Sequence, residues 1–394
     1  MVNIPNSSPN KIPSNFAILV DGNLRSGLSI LLAAAPLLPM INTATADSPL
    51  GWIHSGDPSA YTIDKYSFEL SGAILKVNET IDFLNFREDL LAGQQKLIGD
   101  SGDLDGERLE VHFGITDDLA LFYTNQQQEF AIDLGPLSSV KLVDISKSLN
   151  TDMETAGLKW IFWRGGLLNS DNKFSAAALE ISRSSNKTAD FDLTVSEITT
   201  NGLTISFLNN ATFSVADLQD ESWKSRLIYT WPFPVLANST ATVWGGYGES
   251  DATAGSTSDI VSVTIKNFFE QQFKTSEEYY FAGANLNWAL APRLALALSY
   301  EYIHINATEF TRNPDPPRNG LPGFLTQPPL AISGNHTFSG SLAYWLSPRL
   351  NLRLSGNYYS NQYAGILPHF NNPLSASFAN EPYGFIGLQL GIKF

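Results

Sequence analysis

Glu110 and His112 are the two side chains in this sequence best placed to do chemistry together. One residue apart, they share a face of any extended strand. A carboxylate beside an imidazole can relay a proton, or activate a serine brought near it by the fold. The plainer reading is that both pair with Arg or Lys across an interior. No Gly-x-Ser-x-Gly elbow, phosphate loop or His-Glu-x-x-His helix accompanies them. His54, His304, His336 and His369 are scattered at no metal-ligand spacing, and cysteine is absent. Catalysis, a metal and a cofactor are therefore not expected.

The elements that must hold these groups are strands. GITDDLALFY (Gly114 to Tyr123), WALAPRLALALSY (Trp288 to Tyr300) and YWLSPRLNLRLSG (Tyr344 to Gly356) share one design: strand, tight turn, strand, with a period of two. Leu294, Leu296, Leu298, Tyr300 and Tyr302 fall on one face, and Ala295, Ala297, Ser299 and Glu301 on the other. The strands run to about ten residues, longer than is usual in a soluble sandwich, and their apolar faces end in tyrosines. The same alternation turns Glu110, His112, Lys159, Glu180, Lys224, Arg226, Glu301 and Arg353 inward, as candidates to line a lumen. Tyr279-Tyr280, Tyr344-Trp345 and Tyr358-Tyr359 read as an interfacial girdle rather than a sugar-stacking track.

Composition agrees. The 394 residues include 24 Phe, 14 Tyr, 8 Trp and 29 Gly, a neutral average that alternating faces produce. A net charge of −15 offers no basic face to nucleic acid. The Asn-x-Thr triplets at Asn78, Asn186, Asn210, Asn238, Asn306 and Asn335 are read as chance rather than as glycosylation sites.

Arg25, an apolar run from Leu28 to Ile41 and then Ala44-Thr45-Ala46 follow the order of an export signal, predicting cleavage after Ala46. Residues 1–46 are thus expected to be removed. Residues 47–65 would form a short periplasmic or lumenal segment, and 66–394 the folded domain. Beyond residue 46 no uncharged run is long enough for a membrane helix, so a membrane-embedded chain would have to be a closed barrel. The last strand places Leu388, Leu390, Ile392 and a terminal Phe394 on one face. With the signal and the hairpins, this resembles bacterial outer-membrane β-barrel proteins, porin-like in the broad sense. Gln389 and Gly391 depart from the order usual in that final strand.

That resemblance implies an all-β, antiparallel up-and-down barrel in the outer membrane of a Gram-negative bacterium, with short periplasmic turns and long extracellular loops. It implies contact with lipid and lipopolysaccharide, and with periplasmic chaperones and the barrel-assembly machinery, which would read Leu388, Leu390, Ile392 and Phe394. The function expected is passage of small solutes, with a non-conducting surface barrel as the alternative and an outer-membrane enzyme a distant third. Oligomeric state is open. Fifteen segments have strand character, and reading 259–269 as a helix in a loop leaves fourteen; sixteen, with a strand near 137–146, or twelve are the alternatives. After the expected cleavage only about twenty residues, from Asp47 to Tyr66, lead into the first strand, too few for a plug domain, though Gly51-Trp52-Ile53 could obstruct a lumen.

Overall fold

Strict alternation gives strands whose two faces differ in polarity, and such strands are stable in lipid only when the sheet closes and leaves no edge. The computed structural model describes residues 56–77, 103–133, 140–143, 146–165, 175–200, 203–259, 271–313, 334–360 and 383–394. Its strands are β1 (Phe68–Val77), β2 (Leu104–Thr116), β3 (Leu119–Asp133), β4 (Val140–Leu142), β5 (Ser146–Arg164), β6 (Ala176–Thr188) and β7 (Phe191–Thr200). They continue as β8 (Leu203–Pro232), β9 (Ser239–Ser258), β10 (Gln271–Ala291), β11 (Leu294–Asn313), β12 (Gly334–Ser347), β13 (Leu350–Ser360) and β14 (Tyr383–Lys393). No helix among the described residues is long and apolar enough to cross a membrane.

Twelve of these strands close the barrel, in the order β8-β6-β5-β3-β2-β1-β14-β13-β12-β11-β10-β9 and back to β8. The final strand seals it against the first: Leu70 stands opposite Ile392 and Ile74 opposite Leu388. Phe68 and Phe394 exchange both backbone hydrogen bonds, at 3.2 and 2.8 Å. Two-residue turns at Asp117-Asp118, Pro292-Arg293 and Pro348-Arg349 join strands at the end of the barrel where both β1 begins and β14 ends.

The expected count of fourteen is corrected to twelve. The segments 202–214 and 221–231 are one strand, β8, of 30 residues. β7 is the continuation of β6 and adds no wall strand. The pairing Lys187↔Gln219 resumes, four residues further along both chains, as Phe191↔Val215. Ala189-Asp190 and Asp217, whose φ is +54°, interrupt the ladder without shifting that register. The β6–β7/β8 pair therefore runs past the closed wall as one long hairpin, with three-residue β4 paired to β7 on its outer side. The proposed strand at 137–146 is reduced to β4, and nearly all of 259–269 lies outside the described residues. β3 and β5 extend further than expected and leave a shorter connection than Asp133 to Glu154.

Leu121, Leu158, Ile181, Leu227, Leu298, Leu342, Leu354 and Leu388 point outward with at least a third of their surface exposed. At the loop end of this belt Tyr247 packs edge-to-face with Trp223 and at a tilt against Tyr280, with centroids 5.4 and 5.3 Å apart. At the turn end Tyr229 stacks on Trp231 at 5.4 Å, with Trp163 alongside. From Trp223 to Trp231 is about 26 Å along the strand at ~3.3 Å per residue, or roughly 20 Å of height at a strand tilt of ~40°, somewhat less than the ~25 Å apolar band of an outer-membrane barrel.

Inward-facing glycines let this wall carry large rings. A Cβ on Gly246 would stand 2.4 Å from the Phe281 ring, and one on Gly283 2.2 Å from Trp244. Trp244, Phe281, Tyr279, Ile303 and Ile305 form an apolar interior cluster that continues to Ile161, Ala176, Ala178 and Ile228.

Candidate functional site: an ion-paired lumen with a segment inside it

The inward charges are paired. On β6, Glu180 takes Arg226 of β8 at 2.7 Å and Lys159 of β5 at 3.5 Å, all three side chains less than a fifth exposed. Beside them Glu301 of β11 accepts from Lys224 at 3.3 Å and from the Trp244 indole at 2.7 Å. The Lys224 ammonium also lies over the Phe281 ring, 4.4 Å from its centroid.

On the opposite wall Glu110 meets Arg108 at 2.9 Å and accepts from Ser71 and from Gln389 at 3.2 and 2.9 Å. Gln389 is 1% exposed, so the departure from the usual final-strand pattern has a local reason: it ties β14 to Glu110 across β1. Arg108 was not singled out in the sequence, although its parity with Glu110 puts it on the same face.

His112 lies two positions after Glu110 on β2, on the same face of the strand. It stands opposite Glu69 and Phe122 in register, and its ring lies 6.1 Å from that of Phe122 at 25°. Among the described residues no group of three metal-ligating side chains occurs. His336 and His304 belong to the aromatic rows of β11 and β12: Tyr300 and the His336 Nδ1 share a hydrogen bond of 2.9 Å, and Tyr302 packs on both histidines. His54, His369, Gly51–Ile53 and the cleavage residues Ala44 and Ala46 lie outside the described residues. In β14 Leu388 is exposed, Leu390 half-buried and Ile392 buried, and the Phe394 ring packs 6.2 Å from Phe68.

The chain before β1, expected to be periplasmic or lumenal, makes contacts that sequence reading did not anticipate. Residues 56–65 run inside the barrel, where Ala60 is fully buried and Ser59, Ile63 and Asp57 nearly so. Asp57 forms an ion pair with Arg353 of β13, whose Nη2 also donates to Ser341 at 2.7 Å. Asn285 donates to the Pro58 carbonyl at 3.3 Å, and the Ala60 amide to Thr230 at 2.8 Å. At the turn end Thr62 donates to the Asp117 carbonyl at 2.7 Å, and Lys393 pairs with Asp64 at 2.7 Å. The segment crosses β2 so closely that a Cβ on Gly114 would stand 2.1 Å from the Asp64 carbonyl oxygen. Between its tip and the wall lies a polar cavity of about 210 Å³.

Glu277 and Asp220 lie on the inner face beyond the loop-end girdle, three residues past Tyr280 and Trp223 respectively. Glu277 is 3% exposed, and neither of its carboxylate oxygens has a hydrogen-bond partner among the described residues. Burial, and then the charge of Asp220, push it up to about 9. Burial pushes Asp220 up to about 7, although hydrogen bonds from Asn186 and Ser250 oppose this. A carboxyl raised on folding contributes its full stability below its unfolded value and loses it as pH rises through the folded one. We expect the urea midpoint of the folded barrel to fall between about pH 4.5 and 9, and Glu277→Gln to flatten that fall. An unchanged slope in the variant would show that Glu277 is hydrated.

A closed sheet, an apolar belt between two aromatic rows and a polar interior define a transmembrane β-barrel of the bacterial outer-membrane type. No protein-family model and no curated protein matches the sequence. Solved structures of similar fold include bacterial outer-membrane barrels. An outer membrane channel from Pseudomonas putida F1 is 10% identical at a TM-score of 0.44, with 87% of this chain and 100% of that one covered. The Pseudomonas putida toluene transporter TodX is 10% identical at 0.39, covering 89% and 94%. The outer membrane protease OmpT of Escherichia coli is 11% identical at 0.33, covering 86% and 100%.

Proposed function

We propose that this protein is an outer-membrane channel for small solutes, held shut by its own N-terminal segment. In this reading the two-residue turns face the periplasm, the long hairpin faces outward, and Leu388, Leu390, Ile392 and Phe394 engage the assembly machinery. The observation that carries it is the Asp57–Arg353 ion pair, which fastens residues 56–65 inside a wall otherwise lined by paired charge. A solid interior would need no such latch. Ala60 and Tyr61 pack in the apolar interior cluster, but residues 56–65 belong to no strand of the wall and end in an exposed Lys393–Asp64 pair, so the segment can leave the lumen without breaking the sheet.

The projecting β6–β7/β8 hairpin favours a second reading, a non-conducting barrel that displays a surface for partners. Single-channel recording of the refolded chain from residue 47 in a planar bilayer separates them. Brief, infrequent, full-sized openings are expected. A barrel that shifts normally with heat on a gel yet never opens, even under applied voltage and high salt, would sink the channel reading and leave the surface barrel.

A further inference from the structure

The cavity of about 210 Å³ is bounded by Gly56, Asp57 and Pro58 at the tip of the N-terminal segment and by β2, β10, β11, β12 and β13. It is smaller than the ~300–1,000 Å³ of sites for drug-sized molecules, so its occupant is small. Its charged lining is already neutral. Arg108 faces Glu110 and Arg353 faces Asp57, two cations against two anions. Beside Pro58, Ala297 and two glycines, the rest is hydroxyl and amide, including Ser339, which donates to the Asn357 side-chain Oδ1 at 2.8 Å, Ser341 and Asn285. No aromatic ring is among the lining residues.

This donor set selects by chemistry. An anionic solute would have to take a guanidinium from its own carboxylate, and a cationic solute the reverse, leaving a charge unpaired in a confined space. An apolar solute would strand hydroxyls and amides without partners. A neutral molecule that carries both donors and acceptors on every side costs neither. We propose that this chamber binds a small neutral polyhydroxylated solute, a polyol or monosaccharide, on its way through the barrel. The transit half of this statement rests on the channel reading above; the binding half does not.

The test uses the full chain, refolded, with glucose and glutamate as probes. Equilibrium dialysis in detergent measures binding, and uptake into proteoliposomes measures transit. Saturable glucose binding in preference to glutamate is expected. Ser341→Val and Asn357→Leu, on different strands, each replace a hydrogen-bonding group with apolar bulk and should weaken it at least ~10-fold. Two positions are used so that one misfolded variant does not end the test. Preference for glutamate, or glucose binding untouched by a folded variant, overturns the chamber. Saturable binding without uptake keeps the chamber and sinks the channel. Uptake ranked by size alone, with no saturable binding, keeps the channel and sinks the chamber.

Discussion

Deleting residues 56–65 is expected to raise the mean current through the barrel by roughly two orders of magnitude while leaving the wall intact. The segment is held by the desolvated Asp57–Arg353 pair, the hydrogen bonds of Pro58, Ala60 and Thr62, the Asp64–Lys393 pair and the burial of Ala60 and Ile63. These oppose the cost of ordering ten residues, ~1–2 kcal/mol each, and a hundredfold rise corresponds to a net closure of about 3 kcal/mol. The open state then holds ~1% of the population, and deletion makes it the whole. Asp57→Asn should move the same equilibrium part of the way, by weakening the latch and leaving Arg353 to Ser341. Single-channel recording reads both. If the deleted barrel conducts no more than the intact chain, the closure lies in the ionic wall or in the loops, and the segment is merely packed there.

The membrane architecture was legible because a period of two is a local property. Leu298 and Leu342 stand exposed and Ala295 and Ala297 buried, on the faces that alternation assigns them. Glu110, Lys159, Glu180 and Arg226 are likewise carried to the inner face by parity alone. The strand count failed for a different reason. Ala189-Asp190 and the residues around Asp217 have the composition of turns, and a local reading ends a strand at each. Whether a strand ends or only kinks is decided by its partner, and here both partners break at the same level and resume in register. Asp57 was illegible for a related reason. Nothing near it in the chain distinguishes it from any other loop aspartate, and its partner Arg353 is 296 residues away. Ser341, Asn357 and Asn285 are also ordinary lumen residues until the closed wall brings them round one cavity.

Glu180→Leu should cost the folded barrel ~3–5 kcal/mol, the largest loss expected from any single change in the wall. Glu180 is the one anion of a triad with Arg226 and Lys159, and its carboxyl is only 8% exposed. Removing it leaves two cations facing each other in a space that Ile161, Ile228 and Trp244 help to close. Lys159→Met should cost far less, because it removes the longer contact of the two, keeps the 2.7 Å pair with Arg226, and relieves one buried charge of its desolvation. Adding it to Glu180→Leu should recover part of the loss, since one stranded cation remains where there were two. The measurement is the urea midpoint of each refolded barrel. The ordering matters more than the size. A lumen filled with mobile water would hydrate both cations and bring Glu180→Leu within ~0.5 kcal/mol of the parent, as for an exposed pair. A large loss with partial recovery means that water is excluded at this level, and that any solute passing it must travel along the opposite wall, past Arg108, Glu110 and Arg353.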